Sequence, residues 1–131
     1  VKKHKIKPDT ALVVTTDLSS AKTNDAMHKL LALKSRPDAV MAFNDYVALD
    51  AIKYTKSKGL KVNKDIVFVS YANLPITSYM DNPPIASVEQ FPYQQAEKAT
   101  EILLKIIGSG AASESIPHKV LLESKVIINR Q

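Results

Sequence analysis

"DAVMAFNDYVALDAI", residues 38–52, changes period in its middle. Up to Phe43 it is an unbroken apolar run, the pattern of a strand buried on both faces. From Asp45 onward the apolar residues recur at helical spacing. Val47, Ala48, Ala51 and Ile52 lie on one face, continued by Thr55. A buried strand running into an amphipathic helix within two residues is a strand–turn–helix unit. Repeated, such units build a parallel sheet. No glycine eases the junction; Asn44 and Asp45 stand there instead. Asp45 is expected to cap the helix by accepting from an orphan N–H two or three residues on. Asn44, at the strand's carboxyl end, carries a donor and an acceptor that suit a pair of ligand hydroxyls.

The same alternation extends in both directions. "TALVVTTD" (10–17) reads as a β-branched strand, and "SSAKTNDAMHKLLALKS" (19–35) as a helix capped by Ser19 or Ser20. Its stripe is Met27, Leu30, Leu31 and Lys34. The helix from Asp45 stops at Gly59. "DIVFVSYA" (65–72) is a further buried strand, "LPITSYM" (74–80) a short helix or turn, and "IASVEQ" (85–90) a short strand. "PYQQAEKATEILLKIIGSG" (92–110) places Pro in a helical first turn and Gly108 at its end. "HKVLLESKVIINR" (118–130) supplies one or two strands. The fold class is α/β, a mostly parallel sheet with helices on both faces. In such sheets ligands bind beyond the carboxyl ends of the strands, here "TTDL", "FND" and "SYAN".

The helix from residue 92 carries Ala96, Ala99, Ile102, Leu103, Ile106 and Ile107 as one broad apolar stripe. Exposing four large side chains forfeits on the order of 6–12 kcal/mol. The stripe is therefore expected to be covered, by a second copy of the chain or by a different docking of the helix.

Composition narrows the chemistry. The chain has 131 residues, 45% of them apolar, enough for one domain with a core. There is no cysteine, hence no disulfide framework or thiolate chemistry. Its first residue is Val1, which suggests a piece of something longer. No run approaches a membrane span. Eighteen Lys/Arg against thirteen Asp/Glu give +5, but the bases are nearly all lysines in "VKKHKIK" and "KYTKSKGLKVNK", which read as a solvated surface. No glycine follows a strand, so dinucleotide and P-loop fingerprints are absent. His4, His28 and His118 have no metal-ligand spacing. Nor is there a Gly-x-Ser-x-Gly elbow or the acid pair of a phosphotransfer receiver. The residues argue for binding without catalysis, cofactor or metal.

The stretch from Arg36 to Ala99 resembles the effector-binding domain of LacI-type transcriptional regulators. "PDAVMAFND" with "ALDAI", "GLKVNKDIVFVSY" and "PPIASVEQFPYQQAEKA" carry the resemblance, and their spacing fits. It implies one lobe of a periplasmic-binding-protein-like (type I) fold. Residues 1–131 would form the C-terminal lobe, with the segment 91–117 packing on an N-terminal lobe outside this chain. It also implies a small-molecule effector such as a sugar, DNA contact through a separate helix-turn-helix headpiece, a homodimer, no membrane, and a cytoplasmic protein. By this resemblance Asn44 faces the ligand cleft and Gln90 matches a family glutamine. Leu18 stands where the family often has an aromatic, and Ala72 where it has a ligand-gripping aspartate. Losing that carboxylate costs a hydroxylated ligand on the order of 1.5–3 kcal/mol. Dimer contacts are expected at Ala48, Ile52 and Tyr79, so that Ile52→Glu would yield monomers. A solute-binding transport or sensor domain shares this fold and is the alternative.

Overall fold

A computed structural model describes residues 7–108 and 119–129. Its strands are β1 (Ala39–Met41), β2 (Val67–Tyr71), β3 (Ala86–Glu89) and β4 (Lys125–Ile128), and its helices α1 (Ser20–Leu31), α2 (Asp45–Ser57) and α3 (Pro92–Gly108). The strands form one sheet in the order β1-β2-β3-β4. β1, β2 and β3 are parallel, with Val40 opposite Phe68 and Ser70 opposite Ser87. β4 returns antiparallel beside β3. The expected α/β class with a mostly parallel sheet is what forms.

Local chemistry explains the helix ends. Ser19 is extended and accepts from the Lys22 N–H, which starts α1. Gly59 at φ +76° ends α2: its N–H reaches the Lys56 carbonyl and the Leu60 N–H reaches that of Thr55. This pair of bonds satisfies carbonyls that the helix leaves orphaned, and the left-handed residue between them favours glycine. The core lies between α1, α2 and one sheet face, where Met27, Leu30, Ala51, Ile52, Val62, Ile66 and Phe68 pack together.

Four expectations are corrected. "TALVVTTD" does not form a strand. Thr10–Leu12 is a single 3-10 turn capped by the Asp9 carboxylate, and 13–17 has no sheet partner among the described residues. β-branched composition favours an extended chain, but a strand exists only when another pairs with it. A groove of about 440 Å3 separates Val14 and Thr16 from β1, floored by Ala26, Met27 and Leu30. Of residues 118–130, only Lys125–Ile128 is a strand; His118 and Arg130 lie outside the described residues.

The third correction concerns Ala48 and Ile52, which are 0% and 2% exposed and belong to the core. Their side chains are spent on the domain's own interior, so the expected contact at Ala48 and Ile52 finds no free surface in this chain. Tyr79, 84% exposed, remains on the surface.

The fourth concerns α3. None of its residues is buried, and Leu103 and Ile107 are 55% and 67% exposed. The expected cover is therefore not supplied by the described residues of this chain. Val120 and Leu122 face Ala99 and Ile102 across a shallow cleft, leaving the rest of the stripe open.

Candidate functional site

Because β1, β2 and β3 run parallel, their carboxyl ends share one edge of the sheet. Asn44 follows β1, Ala72 follows β2 and Gln90 follows β3. The Ala42 N–H still reaches the Val69 carbonyl, and the Ala72 N–H that of Val88, so the ladder carries this register to the rim. Asn44 and Ala72 thus stand on the same edge. Leu18, exposed at φ +71°, precedes α1. Its turn is held by Thr16 Oγ1, which accepts from the Leu18 N–H, and by the Asp17 carboxylate, which accepts from the Ser19 N–H. The Ser19 hydrogen bonds hold the Asp17 carboxyl below its ordinary value. Ser20 Oγ donates to Asp50 at 2.6 Å, tying the start of α1 to the second turn of α2.

The junction at 44–45 divides its labour differently from the sequence expectation. Asn44, not Asp45, is the cap: it is extended (φ −155°, ψ 178°) and its Oδ1 accepts from the Val47 N–H at 2.9 Å. Asp45 is the first helical residue, where a carboxylate cannot reach back over its own helix end in cap geometry. It is wholly buried and points into the sheet. It accepts from Ser70 Oγ, from Ser87 Oγ at 3.2 Å and from the Leu74 N–H at 2.5 Å. Three donors plus the positive end of α2 offset the desolvation of a buried carboxylate. Asp45 thereby locks the ends of β2 and β3 to the start of α2. It makes no contact available to a ligand, whereas the half-buried Asn44 keeps its Nδ2 without a hydrogen-bond partner among the described residues.

Two more side chains complete the rim, and neither was read from the sequence. Asn73 lies after β2, its N–H on Ser87 Oγ and its Nδ2 on Glu89 Oε2 at 2.9 Å. Glu89 Oε1 accepts from the Phe91 N–H at 2.7 Å. These bonds, from Asn73 first and Phe91 second, lower the Glu89 carboxyl below its usual value. Ala72, Asn73 and Phe91 all have positive φ, at 94°, 50° and 52°. Non-glycine residues at such angles cost on the order of 1–3 kcal/mol each and cluster at functional rims. The available signal was Ser70 and Ser87, small polar residues inside otherwise apolar strands that imply a buried acceptor. Phe43 and Tyr46, either side of the Asn44–Asp45 junction, are exposed aromatics at this same edge.

The arrangement offers amide donors and acceptors beside flat apolar surface. It holds no cluster of three His, Cys, Asp or Glu able to take a metal among the described residues. No described helix is long and apolar enough to cross a membrane.

This architecture is that of a periplasmic binding protein-like domain. Residues 1–131 match the model of the periplasmic binding protein-like domain. The chain belongs to that family. It is 34% identical over 97 residues to the HTH-type transcriptional repressor PurR of Aliivibrio fischeri, covering 72% of this chain and 28% of that protein. To the HTH-type transcriptional repressor CytR of Escherichia coli it is 31% identical over 108 residues, 79% of this chain and 31% of that one. The chain thus spans under a third of these relatives' length. Its fold matches a LacI-type regulator from Bacillus cereus subsp. cytotoxis with TM-score 0.87 at 23% identity, over 98% of this chain and 44% of that. The CelR–cellobiose complex aligns with TM-score 0.85 at 24% identity, over 97% and 38%.

Proposed function

We propose that this chain is the C-terminal lobe of the effector domain of a LacI-type transcriptional regulator. A small molecule, a sugar or related metabolite, binds at the carboxyl edge of β1–β3. Asn44 and Gln90 serve its polar groups, and Leu18 and Ala72 line its apolar face with Phe43. The segment 91–117 packs on an N-terminal lobe, and a headpiece beyond that contacts DNA. The regulator acts in the cytoplasm as a homodimer and catalyses no reaction. Tyr79, with Leu49 and Ile76 beside it, lies on the surface where a two-fold contact is available.

The observation that carries this reading is the convergence of Asn44, Ala72 and Gln90 on one edge in a chain whose relatives are repressors. The replacement of an aspartate by Ala72 favours a ligand with fewer charged contacts than a simple hydroxyl-gripping site. The test is thermal unfolding of the full-length protein against monosaccharides, cellobiose and nucleosides. A member that saturates the site at one hundred times its Kd stabilises by about 2.7 kcal/mol and raises Tm by several degrees. A flat response across the panel counts against the reading.

A further inference from the structure

We propose that Glu89 is a positioning residue that clamps the ligand rim to the point where the chain leaves the sheet for α3. Its functional consequence rests on the effector-site reading above; its geometry does not.

The clamp has two arms on one carboxylate. Oε2 holds the Asn73 amide, in the turn after β2 at the candidate rim. Oε1 holds the Phe91 N–H, the last backbone donor before Pro92 opens α3. Both held residues sit at positive φ, conformations that a non-glycine residue keeps only when its surroundings enforce them. Gln90 lies between the two ends of the shorter arm, so the turn from Glu89 to Phe91 sets where its side chain projects. The Gln90 carbonyl is fixed in turn by Gln95 Nε2 at 2.6 Å, and the Phe91 carbonyl by the Gln95 N–H at 3.1 Å. One carboxylate therefore connects the Ala72–Asn73 turn, the candidate ligand residue Gln90 and the first turn of α3. A molecule that displaces the Asn73 turn pulls on the same group that orients α3. The coupling runs through hydrogen bonds with defined partners, which is the physical form such a coupling needs.

The test is hydrogen exchange by mass spectrometry on the full-length protein without ligand, comparing wild type with Glu89→Gln. The glutamine keeps the size but offers one acceptor where the carboxylate offers two. Exchange in the peptides covering 72–75 and 89–96 should rise together by roughly tenfold, with β2 and α2 unchanged. Asn73→Ala, which cuts one arm, should raise exchange in 72–75 while the peptide covering 89–96 stays protected. No rise at 89–96, or a rise spread evenly over β2 and α2, overturns the clamp. Because no ligand is present, that outcome leaves the effector reading standing, and a failed ligand panel leaves the clamp standing.

Discussion

α2 and α3 are both amphipathic helices following a parallel strand, yet one is sunk in the core and the other is bare. α2 places Val47, Ala48, Ala51, Ile52 and Thr55 against α1 and β2, and its first residue is bonded into two strands. α3 has a broader apolar stripe and no buried residue. Periodicity states that a face must be covered; it does not state by what. For α2 the cover lies in this chain. For α3 the described residues supply none, and the exposed Leu103, Leu104 and Ile107 mark where another surface belongs.

The contrast is sharpest at Ile52. Ile52→Glu would bury a charge with no partner in the core. It should cost more than about 4 kcal/mol and prevent folding rather than yield folded monomers. Circular dichroism and sedimentation together distinguish the two outcomes. Asp45→Ala comes next. It strands the hydroxyls of Ser70 and Ser87 and the Leu74 N–H, and should destabilise by about 3 kcal/mol in urea unfolding. A loss below about 1 kcal/mol would mean that water replaces the carboxylate. By contrast, Leu103→Glu should change the stability of residues 1–131 by no more than about 0.5 kcal/mol. In the full-length protein the same change should cost several times that, since the stripe is then covered. Equal small effects in both would leave α3 bare in both.

The smallest effect concerns pH. Hydrogen bonds from Asn73 and Phe91 depress the Glu89 carboxyl below 4.5. A depressed carboxyl adds stability that is present above the unfolded value and lost as pH falls through the folded one. The Phe91 amide resonance should therefore titrate below 4.5 with the Asn73 side-chain amide, and neither should do so in Glu89→Gln.

Much of the fold was legible where a pattern needed only its own neighbours. The α2 inner face, the Gly59 stop and the strand ends at Asn44 and Ala72 depend on local period and turn chemistry. Legibility failed where the answer lay across the sheet. Nothing within residues 38–52 tells that Asp45 would find Ser70 and Ser87, so the cap was assigned one residue late. The strand expected at 10–17 failed for the same reason: pairing is decided across the sheet, and no described strand pairs with it. Asn73 and Glu89 were invisible because their meaning is a hydrogen bond between a turn and a strand end sixteen residues apart.

The most direct measurement uses Asn44, which caps α2 through Oδ1 and leaves Nδ2 without a partner among the described residues. Asn44→Asp retains a cap acceptor of equal quality and removes the donor. In the full-length protein its Tm without ligand should stay within about 2 °C of wild type. The panel ligand that stabilises the wild type should bind it at least about tenfold more weakly by isothermal titration. If that ligand binds both proteins equally, Asn44 does not touch it, and the carboxyl edge of β1–β3 is not the effector site.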